Sequence, residues 1–175
     1  GMDESGPVEI WVEGDKFDPP VYSEPATRSV GDARCNRPMI FYRYADGPVV
    51  KLDNGPGGGA IFIGEKGKIT IDRGRVVSDP VEIAKEPVKE SDIHLYKSDD
   101  HMRNWIDCMK SRKPCVADVE VGHRSATVCH LGNIARWLGR KLNWDPKKET
   151  FIGDSKANTY LDRTRRKGYE LPAEV

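Results

Sequence analysis

The sequence predicts an α+β domain in which a largely antiparallel sheet carries helices on one face. Strand-like patterns occupy residues 7–90, whereas helical patterns occupy residues 98–165. Strands gathered first and helices gathered after them favour this arrangement over the alternating order of a doubly wound parallel sheet. The length of 175 residues suits one domain with a sizeable core, so we expect residues 1–175 to form a single domain.

The first part of the chain carries clear strand patterns. PVEIWVEG, residues 7–14, alternates apolar and mostly polar positions with the period of a half-buried strand. The stretch 14–36 holds three prolines, which remove ladder donors and predict a long connection or an edge. PMIFYRYADG, residues 38–47, is rich in aromatic residues and predicts a second strand that closes on the turn signal Asp46-Gly47.

A meander of further short strands is predicted next. PVVKLDNG, residues 48–55, predicts a third strand. AIFIGEKGKITIDRGRVVS, residues 60–78, predicts two or three more strands, with turns at residues 65–67 and 72–74. Short consecutive strands joined by tight turns indicate mostly antiparallel pairing.

Helical patterns follow from Ser98 onwards. The first helix is predicted to start with Ser98 or Asp99 as N-cap, to carry acidic residues in its first turn, and to stop at Pro114. The second covers residues 118–141 with Gly139 as C-cap, and a third short helix is predicted over residues 154–163. Apolar residues recur at helical spacing, namely Met102, Trp105, Ile106 and Met109 in the first helix and Val128, Leu131, Ala135 and Leu138 in the second.

The glycine-rich run at Asn54–Gly64, NGPGGGAIFIG, raises the question of a dinucleotide site, because Gly55, Gly57 and Ala60 match a form of its fingerprint. A phosphate-binding glycine loop joins a strand to a helix N-terminus, whose free N–H groups face the anion. Here a strand pattern follows instead of a helix start. We therefore expect the glycines to serve positive-φ or close-approach positions, with no cofactor bound by this chain alone.

Composition excludes several functions. The 28 basic and 28 acidic residues balance, which gives no general attraction to nucleic acid or anionic membranes. No apolar run approaches the roughly 18 residues that a bilayer span needs, and the first residues lack the pattern of a signal peptide. No cysteine pair has C-x-x-C spacing, so we expect four reduced structural thiols at Cys35, Cys108, Cys115 and Cys129, with Cys108 and Cys129 buried in helices.

Several stretches together resemble one family. They are GPVEIWVEG, AIFIGEKGKITIDRG, the run from His101 to Arg163, and the closing ELP. Within the long run, GHRS, CHLGNIA, WDP and GD..AN occur in order. These stretches resemble the C-terminal domain of Gfo/Idh/MocA-type oxidoreductases, relatives of glucose-fructose oxidoreductase and inositol dehydrogenase, in the branch called the bacterial-type C-terminal domain.

The resemblance implies an open antiparallel sheet like that of the dihydrodipicolinate reductase C-terminal domain. It also implies a parent enzyme that uses NAD or NADP, bound by an N-terminal Rossmann domain that this chain lacks. The family's Glu-Lys-Pro motif is missing, since the nearest string, Lys85-Glu86-Pro87, has another order. The family's catalytic Asp and His precede the position matching Gly1, so we expect a fragment that is not catalytically competent alone and holds no catalytic residue.

Three side chains of the second helix are candidates for a substrate pocket, namely His123, Arg124 and His130. The two histidines lie seven residues apart, about 10.5 Å along a helix axis, so they cannot both reach one zinc ion at about 2.1 Å. We therefore expect no metal site. The alternative role for the histidines is to fix the helix against the sheet or against another domain through hydrogen bonds.

Other clusters on the chain have a functional and a structural interpretation. The small residues Gly122, Ser125, Ala126, Cys129, Gly132 and Asn133 share a helix face, which either packs tightly on the sheet or docks a second domain. Trp105, Trp137 and Trp144 could stack on sugar rings, although tryptophans of this kind more often anchor a core or an interface. RTRRK, residues 163–167, lacks aromatic interleaving, so a solvated or subunit-contacting tail is expected and nucleic acid binding is not.

Two functional hypotheses remain. The first is a substrate-binding and oligomerisation part of an NAD(P)-dependent oxidoreductase of a sugar, polyol or related hydroxyl compound, cytoplasmic and assembled as a homodimer or higher oligomer through the open sheet face. The second is a stand-alone, non-catalytic binding or assembly module. A reading frame that extends upstream with a strand, a glycine-rich loop and a helix would favour the first hypothesis.

Overall fold

The computed structural model describes residues 5–14, 38–45, 47–52, 59–72, 74–162 and 165–170, and it has the α+β architecture with antiparallel sheets that the sequence predicts. Its strands in chain order are β1 (Pro7–Glu13), β2 (Met39–Tyr44), β3 (Val49–Leu52), β4 (Ala60–Gly64), β5 (Gly67–Asp72), β6 (Arg75–Asp79), β7 (Leu142–Asp145) and β8 (Thr150–Phe151). Its helices are α1 (His101–Ser111), α2 (Val119–Leu138) and α3 (Ser155–Asn158), with a 3₁₀ turn at Ile83–Lys85.

The chain forms two compact units. The first unit joins Gly1–Asn54 to Ala117–Val175 and contains β1–β3, α2, β7, β8 and α3. The second unit covers Gly55–Val116 and contains β4–β6 and α1.

The first unit is built on a five-stranded antiparallel sheet in the order β3-β2-β1-β7-β8. Side chains along β1 alternate between the two faces of the sheet as predicted, since Ile10 is fully buried and its neighbour Trp11 lies on the other face. The C-terminal half of α2 covers the buried face, where it packs against β1 and β2. The core therefore lies between this half of α2 and one face of the sheet, and its most buried side chains are Ile10, Ile40, Leu131, Ala135 and Leu142.

The helix α2 confirms most of its prediction. It begins after Asp118, whose side chain accepts a hydrogen bond from Glu120 N at 3.0 Å. Gly139 ends it in the left-handed region with φ 63°, as expected for a C-cap glycine. Near that end Arg136 is buried, and its Nε donates to the Pro38 carbonyl at 3.0 Å, which ties the helix to the start of β2.

Two strands and one helix boundary in the first unit were not predicted correctly. No strand was predicted at β7 or β8, because four and two residues are too few to show a period. The third helix is one turn, Ser155–Asn158, and not the ten residues expected, because Thr159 and Tyr160 turn away after it. Asp154 caps this turn by accepting from Ala157 N at 3.0 Å.

The second unit contains the three-stranded antiparallel sheet β4-β5-β6, as the meander pattern predicted. Its helix α1 differs at both ends from the prediction. The N-cap is Asp100, which accepts from Arg103 N at 2.9 Å, and no acidic residue lies in the first turn. The helix ends at Ser111, ahead of Pro114, because Arg112 adopts φ 57° and donates its N–H to Cys108 O. The predicted apolar stripe of α1, Met102 to Met109, is exposed to solvent.

The described end of the glycine-rich run leads into a strand, as predicted. Residues 53–58 lie outside the described part, as do the proline-containing connection at 15–37 and the turn residue Asp46. Gly59 has φ +91°, and a Cβ there would collide with the carbonyl oxygen of Ile71. Both positive φ and close approach therefore require glycine at this position.

Burial of the described cysteines agrees only in part with the prediction. Cys108 is buried and Cys115 is half-buried, whereas Cys129 is exposed, so the expectation of a buried thiol at Cys129 was wrong. Cys108 and Cys129 are not part of a disulfide bond, and Cys35 lies outside the described residues. In the part of the chain that the structure describes, no helix combines the length and apolar character that a bilayer crossing requires.

Candidate substrate-facing groove

One face of α2 forms the wall of a groove within the first unit. His123, Thr127 and His130 follow one another at four- and three-residue steps, so they lie along one side of the helix. The opposite wall comes from the β7–β8 turn and from the segment after α3. The groove has a volume of about 670 Å³, within the range of small-molecule sites in proteins.

His123 is linked across this groove to Glu149. Its Nε2 lies 2.6 Å from Glu149 Oε1, and both side chains are about half exposed. Glu149 is the last residue of the turn between β7 and β8 and adopts φ 52°. The contact joins residues 26 positions apart, so local sequence patterns could not reveal it.

The turn that presents Glu149 is shaped by Asp145. Its Oδ1 accepts from Lys147 N and from Lys148 N, each at 3.0 Å. Donation from the Lys148 backbone is the main reason that the pKa of Asp145 lies below its usual value, followed by that from Lys147. The aspartate of the WDP motif therefore organises the turn.

His130 occupies the same wall without a bonding partner. Among the described residues, none forms a hydrogen bond or ion pair with its imidazole, although it lines the groove. A neutral imidazole offers one donor and one acceptor. His130 can therefore both donate to and accept from a hydroxyl group of a ligand.

Arg124, the third candidate, does not line this groove. Its Nη2 pairs with Glu120 at 2.7 Å, one turn earlier on the helix. Its Nε is buried and lacks a hydrogen-bond partner among the described residues. The structure thus places His123 and His130 together, with Arg124 elsewhere on the helix.

Aromatic side chains line part of the groove. Trp137 and Tyr160 have ring centroids 5.7 Å apart at an angle of 45°, and both are partly buried. Trp144 also reaches the groove, but it is 3% exposed and packs edge-on against Phe151 at 4.9 Å. Trp144 is thus chiefly a core residue, whereas Trp105 belongs to the second unit.

The Asp and Asn side chains of the GD..AN motif, which follows WDP in the chain, form hydrogen bonds with backbone groups. Asn158 Oδ1 accepts from Phe151 N at 2.8 Å, and Asn158 Nδ2 donates to Phe151 O at 3.0 Å. Asp154 pairs with Arg140, which is the main reason that the pKa of this carboxyl lies below its usual value. Asn158 thus links α3 to β8, and Asp154 caps the start of α3.

The face of α2 that carries the small residues is buried against the sheet near its C-terminal end and exposed near its N-terminal end. Gly132 packs against the sheet, where Tyr42 and Ile40 leave no room for a side chain. Towards the N-terminal end this face is exposed, and a methyl group placed on Gly122 would have no atom within 4 Å. The close-packing interpretation therefore holds for Gly132, and docking of a second domain stays a hypothesis for the remainder.

Two further predictions concern metals and the basic cluster. In the described ranges, no group of three or more His, Cys, Asp or Glu side chains is placed to hold a metal ion. The basic cluster RTRRK covers residues 163–167, and its first two residues, Arg163 and Thr164, lie outside the described residues. Arg165 pairs with Asp162 at 2.9 Å and also lines the groove, while Arg166 lies 3.9 Å over the ring of Tyr169.

Sequence reasoning missed several groove residues. Glu149, Tyr160 and Asp162 line the groove but were not proposed as site residues. Thr127 was noticed only as a neighbour of the histidines. The signal that could have found Tyr160 and Asp162 is their position directly after the GD..AN motif, which anchors that segment.

Comparison with known proteins gives one match. The model of an oxidoreductase family, C-terminal alpha/beta domain, of the Gfo/Idh/MocA type, matches residues 1–171. Searches of curated proteins and of solved structures found no match. With nearly its whole length matched, the chain belongs to the Gfo/Idh/MocA oxidoreductase family, as its C-terminal alpha/beta domain.

Proposed function

We propose that this chain is the substrate-binding and oligomerisation part of an NAD(P)-dependent oxidoreductase that acts on a sugar, a polyol or a related hydroxyl compound. Membership of an oxidoreductase family supports the reaction class. The family match spans both compact units, which supports treating residues 1–175 as one functional domain.

The observation that carries the substrate role is the groove on α2. It brings His123 and His130 to one wall, and it adds the aromatic faces of Trp137 and Tyr160. Imidazole groups can donate to and accept from hydroxyls, and aromatic faces cover the apolar side of a sugar ring. In this proposal both histidines face the substrate. Arg124 does not line the groove and pairs with Glu120, so this proposal gives it no contact with the substrate.

The cofactor is assigned to another domain of the parent protein. A pyrophosphate needs the N–H groups of a helix N-terminus after a glycine-rich loop. The described residues beside the glycine run do not fit this requirement, because Gly59 leads directly into the strand β4. We therefore propose that NAD or NADP is held by an N-terminal Rossmann domain, and no catalytic step is assigned to this chain.

The outer face of the five-stranded sheet is the proposed subunit interface. Trp11 and Phe41 stack there with centroids 5.1 Å apart and rings nearly parallel. Glu9 lies between Lys141 and Arg43, with contacts of 2.6 Å and 2.9 Å. Two stacked aromatic rings bordered by charges resemble the composition of protein interfaces, which supports a homodimer or higher oligomer.

The test is cofactor reduction by the whole encoded polypeptide. The reading frame that contains Gly1–Val175 is extended upstream, expressed, and assayed for NAD⁺ and NADP⁺ reduction with a panel of sugars and polyols. We expect turnover by the extended polypeptide and no saturable binding of NADH or NADPH by residues 1–175 alone. Tight nucleotide binding by the 175-residue chain, or an upstream frame without a Rossmann pattern, would overturn the proposal.

A further inference from the structure

The strand β4 lies at one end of the three-stranded sheet of the second unit. It pairs with β5 along its whole length, from Ala60 opposite Ile71 to Gly64 opposite Gly67. Among the described residues, no strand or side chain is hydrogen-bonded to the other edge of β4. An unpaired edge presents a row of backbone N–H and C=O groups to which another strand can bond.

The geometry of the β4–β5 hairpin fixes which backbone groups point outwards. A two-residue loop separates Gly64 from Gly67, so these two glycines form a hydrogen-bonded pair. Hydrogen-bonded and non-hydrogen-bonded pairs alternate along an antiparallel ladder, so Phe62 is bonded to β5 as well. The N–H and C=O groups of Ile61 and Ile63 therefore point away from β5, towards the unpaired edge.

The side chains of β4 are apolar and exposed on both faces of the sheet. Ile61 and Ile63 are 64% and 84% exposed on one face, and Phe62 is 59% exposed on the other. No charged residue or proline occurs within the strand. Charges and prolines are the usual means by which an end strand avoids pairing with another chain, so β4 lacks this protection.

The strand at the opposite end of the sheet, β6, is protected in two ways. Its first and last residues, Arg75 and Asp79, are charged, and Asp79 lies 3.6 Å from the Lys68 ammonium group. In addition, Ser78 Oγ accepts from Ala84 N at 2.9 Å, which holds the following 3₁₀ turn against β6. The same sheet therefore has one protected edge and one open edge.

A second copy of the same strand fits the open edge of β4. When two copies run antiparallel about a two-fold axis at Phe62, Ile61 of each copy lies opposite Ile63 of the other. These are the residues whose backbone groups point outwards, so both gain hydrogen-bond partners in this register. Phe62 meets Phe62 of the second copy in a non-hydrogen-bonded pair, in which side chains lie closest. Glu65 then lies opposite Gly59, so this register places no like charges of β4 or its flanking residues 59 and 65 opposite each other.

We propose that β4 is a self-association strand, through which two copies of this chain join their second units into one continuous antiparallel sheet. The contact is much smaller than the roughly 800 Å² per partner of a standard interface, so the dissociation constant should be about 0.1–1 mM. At low micromolar concentration the contact is therefore open. It uses other residues than the outer face of the five-stranded sheet, and it does not depend on the proposed function.

Two double variants test the register by analytical ultracentrifugation, both made in the Phe41→Glu chain so that the sheet-face interface is removed. Ile61→Lys with Ile63→Lys places lysine opposite lysine and should weaken the dimer by about 10-fold or more. Ile61→Glu with Ile63→Lys places glutamate opposite lysine and should stay within about 3-fold of the parent chain. Ile93→Lys with Leu95→Lys, at exposed apolar positions outside the strands of the same unit, is the matched control and should leave the affinity unchanged.

Amide hydrogen exchange locates the contact in the chain without any substitution. The amides of Ile61 and Ile63 should exchange about 2- to 5-fold more slowly at about 1 mM chain than at about 50 µM, because their N–H groups then have partners. The Phe62 amide is already bonded to β5 and should change less. Far-ultraviolet circular dichroism verifies that each double variant is folded before its association is compared.

Three results would overturn the inference. The first is a mass of the Phe41→Glu chain that does not rise between about 20 and 500 µM. The second is equal association of the two double variants. The third is full protection of the Ile61 and Ile63 amides in the dilute chain, since the edge would then be occupied within one copy. Failure of the proposed function is seen separately, because it is measured as cofactor reduction by the extended polypeptide.

Discussion

Gly132 of α2 packs directly against the hydroxyl group of Tyr42 on β2. A methyl group at Gly132 would overlap the Tyr42 hydroxyl and lie 2.8 Å from Ile40 Cδ1. Burial raises the pKa of the Tyr42 phenol, which keeps the hydroxyl protonated at this contact. The close approach of helix and sheet thus depends on the absence of a side chain at one position.

Gly132→Ala should destabilise the chain, because the added methyl group overpacks the contact with β2. We expect a loss of about 1–3 kcal/mol in the free energy of unfolding, measured by urea denaturation. Gly122→Ala on the same helix is the control, since no atom lies within 4 Å of the new methyl group. It should stabilise the helix by up to about 1 kcal/mol. Equal effects of the two substitutions would contradict this account of the packing.

Asn158→Ala should also destabilise the first unit, since it removes both hydrogen bonds to the backbone of Phe151. The backbone groups of a buried residue would lose their partners, and we expect a cost of about 1–3 kcal/mol in urea denaturation. Asn133→Ala, an exposed position of α2, serves as the control and should change stability by less than about 0.5 kcal/mol. A small effect at Asn158 would mean that water replaces its amide.

The Arg140–Asp154 ion pair should make stability depend on pH in the acid range. The Arg140 guanidinium holds the pKa of Asp154 below its usual value of 3.8, so this contribution is present above about pH 3.8. It is lost as pH falls through the lowered pKa of the folded state.

Asp154→Asn keeps a capping oxygen but removes the charge. We expect it to cost about 0.5–1 kcal/mol at pH 7 and to approach the stability of the wild type as pH falls below 3.8. Asp107→Asn, which alters an exposed i,i+4 pair of α1, is the control. A difference that persists undiminished at low pH would contradict a role for the charge of Asp154, because the carboxyl of the wild type is then protonated.

The proposed subunit interface predicts an oligomer that a single charge disrupts. Phe41→Glu places a carboxylate beside Trp11 on the outer face of the sheet, and it should shift the chain from dimer to monomer in light scattering. Val119→Glu adds the same group at an exposed position at the start of α2 and should leave the mass unchanged. A wild-type chain that is monomeric at high concentration would reject this interface.

Several elements could be predicted from local sequence alone. The strands β1 and β2 show alternation, and α2 combines an apolar stripe with Asp118 and Gly139 at its ends. Each of these signals lies within one element, so the residues that carry it are neighbours in the chain. The order of motifs after His101 was enough to indicate the family, which the match over residues 1–171 confirms.

The predictions failed in two situations. In one, an element or contact depends on a residue far away in the chain; in the other, several adjacent residues are equally good candidates for the same capping position. The N-cap of α1 was placed one or two residues early, because Ser98, Asp99 and Asp100 all suit the position by residue type. β7 was missed because it is recognisable only through its antiparallel pairing with β1, which lies far earlier in the chain. Glu149 was missed for the same reason, since only the folded β7–β8 turn brings it to His123.

By itself, the sequence determined the elements whose apolar residues recur with a clear period, such as β1, β2 and α2, and with them the α+β class. It also indicated the family. These properties depend on patterns within short segments and on the order of motifs along the chain. Only the tertiary structure decided which side chains share a groove. It separated Arg124 from His123 and His130 and added Glu149 and Tyr160 to the two histidines. The physical reason is that a groove is defined by side chains from separate elements, whose meeting depends on how the chain packs.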